Sequence, residues 1–156
     1  MIQRIQSIYL FIAGLLIFAL YLFPLAHNVF INGSPSTIKV TGIYQMASNG
    51  QEVHTEVFVA LTAVTALIGL IPLVIIFLYK NRKQQITLCY SAILVLIGYS
   101  FWMAQTVKSV TGGVVLGTNN MGIGIFLTCI SIFMLILAAK SIQKDEKLVR
   151  SADRLR

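Results

Sequence analysis

The stretch that decides the fold is "VFVALTAVTALIGLIPLVIIFLYKNRKQQITLCYSAILVLIGYSFWMAQTV", residues 57–107. Two uncharged runs, Val57–Tyr79 of 23 residues and Ile86–Val107 of 22, flank one polar hexad, "KNRKQQ". A helix needs about 20 apolar residues to cross a hydrocarbon core of roughly 30 Å. Each run therefore predicts a membrane span, and the hexad predicts a tight basic hairpin between them.

Working outward, Ile5–Ile38 and Ser109–Ala139 are also free of Lys, Arg, Asp and Glu. They predict two more spans, giving helices at about 7–27, 57–79, 86–107 and 121–139 in a single domain of 156 residues. The first run is far longer than the apolar core of a signal peptide and no small-x-small cleavage site follows it, so it is expected to stay as a span. The whole chain is 57% apolar and 11% charged, where a soluble domain carries about 25% charged residues. So few charges could not cover a water-facing surface.

Lys and Arg orient the spans. Arg4, the hairpin's Lys80, Arg82 and Lys83, and the tail's Lys140, Lys144, Lys147, Arg150, Arg154 and Arg156 make ten on one side, against Lys39 and Lys108 on the other. Both termini are thereby expected in the cytoplasm. The net charge of +7 is explained by these flanking residues, and a nucleic-acid partner is not expected. The same basic surface (Arg4, Lys80, Arg82, Lys83, Lys144, Lys147, Arg150, Arg154, Arg156) is the candidate face for lipid headgroups or a docked protein. In the tail, Leu148, Ala152 and Leu155 recur at spacings of four and three, a narrow apolar stripe on a helix. A plain solvated extension of helix four is the competing reading.

The first outer segment, residues 28–56, carries a strand signal. "STIKVTGIYQM" alternates Ile38, Val40, Tyr44 and Met46 against Lys39, Thr41 and Gln45, with Ile43 out of phase. Asn32-Gly33 precedes it and Asn49-Gly50 follows, the strongest short hairpin signals. A two- or three-stranded antiparallel sheet capping the helices is expected, since an isolated hairpin is marginal in water. Asn32-Gly33-Ser34 also spells a glycosylation sequon, which has weight only in a secreted eukaryotic context.

Residues that could carry chemistry are few. His27 and His54, both expected near the outer face, could ligate haem or a metal with Glu52 or Glu56 nearby; an interfacial polar role is the simpler reading. Span interiors hold no Asp, Glu, Lys, Arg or His; their polar residues are chiefly hydroxyls and an amide, such as Thr62, Thr65, Thr128, Ser131 and Gln105. Catalysis needs a titrating group or an activated nucleophile, so an enzyme is not expected, nor a cofactor. Cys89 and Cys129 fall at different depths, about 10 Å apart along the helices, too far for a disulfide. Pro72 should kink helix two. Gly122 and Gly124 in "MGIGIF" lack the four-residue dimerisation spacing and read as a flexible lead-in to helix four. Tyr99, Phe101 and Trp102 toward one face, with Tyr79 and Tyr90 toward the other, read as aromatic belts.

The opening "MIQRIQSIYLFIAGLL" (1–16), "FPL" (23–25) and the ending "KDEKLVRSADRLR" (144–156) resemble a family of Bacteroidota integral membrane proteins catalogued as domain of unknown function 4293. The resemblance implies a bacterial inner membrane and four spans, and brings no activity, substrate or cofactor. The layout is also similar to claudin-type proteins, which place a small sheet between their first two spans, although this chain lacks their paired loop cysteines and loop tryptophan. The fold expected is thus an all-α, left-handed four-transmembrane-helix bundle with an outer β-hairpin or sheet. The function expected is that of a non-catalytic accessory or assembly protein; the alternative is a binder of a lipid, quinone or haem, or a minimal transporter.

Overall fold

A computed structural model describes residues 3–31, 34–46, 52–79, 81–112 and 120–153. The chain order is α1 (Gln3–Ala19), β1 (Ala26–Ile31), β2 (Ser34–Lys39), β3 (Gly42–Met46), β4 (Glu52–Val57), α2 (Val59–Phe77), α3 (Arg82–Val110) and α4 (Ile123–Asp153). Three helices are long and apolar enough to cross a membrane: Val59–Phe77, Arg82–Val110 and Ile123–Val149. The first helix is shorter, with its apolar part at Ile5–Ala19. These features make the chain a membrane protein with a small antiparallel sheet.

Helix one was expected to reach His27 and stops eight residues earlier, at Ala19. The cause is Pro24, whose ring disfavours helical geometry at Phe23. The chain tightens through Leu20 N–H to Ile17 O (3.2 Å) and Tyr21 N–H to Phe18 O (3.1 Å), then turns extended. His27 consequently belongs to β1.

The sheet has four strands in the order β1-β2-β3-β4, all antiparallel neighbours, one or two more than expected. "STIKVTGIYQM" is two strands rather than one. The chain reverses at Val40-Thr41, pairing Ile38 with Ile43 and Lys39 with Gly42. Reversal explains why Ile43 breaks the alternation: on the returning strand it sits opposite Ile38 and shares its buried face. Gly42 has φ +152°, and a Cβ there would lie 2.0 Å from Glu56 O, so only glycine fits. The Asn-Gly pairs at 32–33 and 49–50 lie outside the described residues.

The sheet rests on the helix ends. Ile38, Val40, Leu25, Ala26 and Val29 join one buried apolar cluster with Leu10, Ala13, Ile17, Leu20, Ile68, Leu96 and Leu135 from the helices. Polar ties hold the two layers in register: Tyr21 Oη donates to Thr62 O (2.6 Å), Phe58 N–H to Thr41 O (3.0 Å), and the Thr62 hydroxyl proton lies between Phe58 O (2.8 Å) and Val40 O (3.2 Å). Below them the hydroxyls of Thr65 and Tyr99 are hydrogen-bonded to each other. Tyr99 is therefore buried between α2 and α3, 3% exposed, and not part of an aromatic belt as its position suggested; Phe101 and Trp102 are the exposed members.

Gly122 and Gly124 are likewise more than a flexible lead-in. Gly122 N–H donates to Leu25 O (2.8 Å) and Gly124 N–H to Pro24 O (2.9 Å), and a Cβ on Gly122 would stand 2.1 Å from Pro24 O. The start of α4 is thus seated against backbone at Pro24–Leu25, between α1 and β1. Ser131 Oγ donates across to Ala13 O (3.0 Å), and Gly14 meets Gly69, whose carbonyl would lie 3.2 Å from an added Cβ. Helix α1 packs on α4 and α2, and α3 packs on α4.

Candidate functional site

The end of the molecule opposite the sheet gathers the residues that the charge count singled out. Arg82 is half-buried at the start of α3, and Lys83, Lys144 and Lys147 are exposed on α3 and α4. Arg4 lies in the first turn of α1 and Arg150 near the end of α4. Lys80, Arg154 and Arg156 lie outside the described residues.

The tail is not a separate segment. Helix α4 runs unbroken from Ile123 through Asp153, and its first half beyond Ala139 is docked. Ile142 is fully buried and Asp145 is 6% exposed. Gln6 on α1 explains both its place and its satisfaction: the Gln6 amide Nε2 donates to Asp145 Oδ2 at 2.6 Å and reaches Ser141 O at 3.3 Å. A buried carboxylate without partners would cost several kcal/mol; the short bond from the Gln6 amide offsets part of that. On the other side Gln143 Nε2 donates to Tyr90 Oη (2.9 Å), which joins α4 to α3. Gln85, buried, donates to Ile75 O (3.2 Å) and so caps a carbonyl in the last turn of α2.

Sequence reasoning missed this Gln6–Asp145–Ser141 cluster because acidic and amide residues in a charged tail read as solvated. The available signal was the three- and four-residue spacing of Leu135, Ala138, Ala139, Ile142 and Asp145, which continues the buried face of α4 past the apolar run. Beyond the cluster the face changes. Leu148 and Val149 are about half exposed, 51% and 46%, beside Lys144 and Lys147. Leu148 is the described member of the expected apolar stripe; Ala152 side-chain surroundings and Leu155 lie outside what the structure describes.

The two histidines do not meet. His27 is on β1 and His54 on β4, the two outer strands, about 14 Å apart across three strand spacings. The His54 ring packs on Tyr44, with centroids 4.5 Å apart, and Lys39 Nζ stands 4.6 Å from the centre of the same Tyr44 ring. Among the described residues no group of three His, Cys, Asp or Glu side chains could hold a metal ion. Cys89 is buried, Cys129 exposed, and both are free thiols.

A second feature lies between α2 and α3. An open groove of about 350 Å³ is lined by Leu67, Leu70, Val74, Leu88, Ser91 and Val95 with their neighbours. Its one hydroxyl, Ser91 Oγ, already donates to Leu88 O (2.9 Å), as helix hydroxyls in apolar surroundings commonly do.

These features define a small helical membrane protein with a four-stranded sheet at one end and a basic, partly apolar surface at the other. The chain belongs to the family described as domain of unknown function (DUF4293), whose model matches residues 2–155. A search of curated proteins finds no match.

Proposed function

We propose that this is a four-span protein of a bacterial inner membrane, with both termini in the cytoplasm and the sheet outside, acting as a non-catalytic accessory or assembly protein. The fourth span in this reading is α1. Its 17 helical residues rise about 26 Å, and Ile5, Ile8, Phe11 and Leu15 form an exposed apolar stripe of the kind lipid covers. The positive-side count supports the orientation.

The observation that carries the functional reading is the unbroken continuation of α4 past its apolar run. A continuous helix tied by Gln6 at Asp145 carries the exposed Leu148 and Val149 beside lysines, which suits a docking ledge better than a solvated tag. The apolar packing of the interior argues against a polar transport path. Its test is capture from mild detergent with wild-type chain and with Leu148→Glu. A stoichiometric partner lost in the variant, at unchanged thermal stability, is the expected result. Equal capture by both, or capture of nothing, would remove the reading. A second reading, a lipid binder, is favoured by the groove between α2 and α3.

A further inference from the structure

We propose that the outward face of α4 binds the headgroup phosphate of an anionic phospholipid through Lys140, Lys144 and Lys147. The inference goes beyond the proposed docking role and rests only on α4 being one of the membrane spans, whichever side its end faces.

The residues of α4 sort by angle. At about 100° per residue, Lys144 falls in line with Phe126 along the helix. Ile130, Phe133, Lys140 and Lys147 all lie within about 60° of that line. Phe126, Ile130 and Phe133 are 59%, 43% and 57% exposed, and all three lysines are exposed. One strip of the helix surface is therefore apolar over its first part and basic over its last. The acids of the same stretch lie elsewhere on the helix. Asp145 is buried and bonded to Gln6, about 100° round from Phe126, and Glu146, half-buried, is about 160° round the other way.

Depth matches as well. Lys140 is the first charge after the uncharged run that begins at Ser109. From Ile123, where α4 starts, it lies about 26 Å along the axis, close to the roughly 30 Å of hydrocarbon in a bilayer. Lys147 is about 10 Å further on. The column of lysines thus begins near the hydrocarbon edge and runs through the headgroup layer, with flexible stems that let each ammonium group reach a phosphate.

The occupant follows from charge. Lys140 and Lys144 are four residues apart, Lys144 and Lys147 three, so like charges face one another along the helix and repel. A phosphate set against them removes that repulsion and accepts charge-assisted hydrogen bonds. Lipid phosphate stands at this depth already, and its acyl chains would cover Phe126, Ile130 and Phe133 on the same strip. A soluble acidic protein would meet the lysines only beyond the headgroups. Each basic side chain near the surface favours anionic over neutral lipid by roughly fivefold.

The test is native mass spectrometry of the full chain in detergent with equal amounts of phosphatidylglycerol and phosphatidylethanolamine. Wild type should retain phosphatidylglycerol in preference. Lys140→Gln, Lys144→Gln and Lys147→Gln together should lower that preference by on the order of 100-fold, and each alone by roughly fivefold, with thermal unfolding no lower than in wild type. Arginine at the same three positions should keep the preference, and excess inorganic phosphate should not displace the lipid. Equal retention of the two lipids by wild type, a preference that survives the triple glutamine variant, or displacement by inorganic phosphate would each overturn the proposal. The span itself is read separately. In a Cys89→Ala chain in vesicles of the same two lipids, a nitroxide on the exposed Cys129 should be relaxed by oxygen and not by a water-soluble nickel chelate; relaxation by the chelate would remove the span and the lysine site with it.

Discussion

Replacing Gly122 by alanine adds a single methyl group where there is no space for one. The new Cβ would stand 2.1 Å from Pro24 O, 2.7 Å from Pro24 C and 2.8 Å from Leu25 C, whereas ordinary contact lies near 3.5–4.0 Å. All three neighbours are backbone, so no side chain can swing aside. The start of α4 must retreat by roughly 1 Å or more, which breaks Gly122 N–H to Leu25 O and Gly124 N–H to Pro24 O and the bridge between Ala26 and Met121. Each broken bond removes about 1 kcal/mol, and an unsatisfied buried amide costs about 1–3 kcal/mol. Gly122→Ala should therefore destabilise by about 3–5 kcal/mol. The assay is reversible unfolding in mixed micelles followed by circular dichroism. Gly98→Ala is the control: nothing lies within 4 Å of its added Cβ, so it should be neutral or stabilise by up to about 1 kcal/mol. If Gly122→Ala unfolds with Gly98→Ala at the wild-type midpoint, the seating of α4 on residues 24–25 is wrong.

Other perturbations test the remaining joints. Thr65→Val leaves the buried Tyr99 hydroxyl without its partner and should cost about 1–3 kcal/mol; adding Tyr99→Phe should recover part of that, and a double-mutant cycle with additive losses would contradict the contact. Gln6→Leu strands the Asp145 carboxylate. It should raise hydrogen exchange in residues 141–149 and destabilise by about 1–3 kcal/mol, while unchanged protection there would show that α1 does not anchor the tail. Gly42→Ala drives a Cβ onto Glu56 O at a φ of +152°, so it should cost at least about 2 kcal/mol and shift the amide resonances of β3 and β4 first. His54→Ala removes the ring packed on Tyr44 and should change stability by about 1 kcal/mol or less.

The resemblance at the two ends of the chain led to the family, and the positions of the three long apolar helices were legible from composition alone. The edges were less so. Helix one was carried past Pro24 because apolar character continues to Ala26, and the proline's backbone effect was outweighed by that continuity. The strand turn at Val40-Thr41 was hidden because both arms are amphipathic; Ile43, out of phase, and Gly42 were the marks of it. Nothing local distinguished Tyr99 from Phe101 or Trp102, since all three suit a membrane interface. Which of them turns inward depends on the Thr65 hydroxyl one helix away.

Two classes of property separate cleanly here. How long an uncharged run is, and which connections carry lysine and arginine, are sums along the chain, and water, lipid and the bilayer's fixed thickness act on such sums directly. They determined the membrane class and the expected sidedness. The burial of Asp145 under Gln6, the seat of Gly122 on Pro24 and the gap between α2 and α3 depend on which faces of distant segments meet, at ångström separation. Contacts at that range are set by helix rotation and register, and those exist only once the chain has packed.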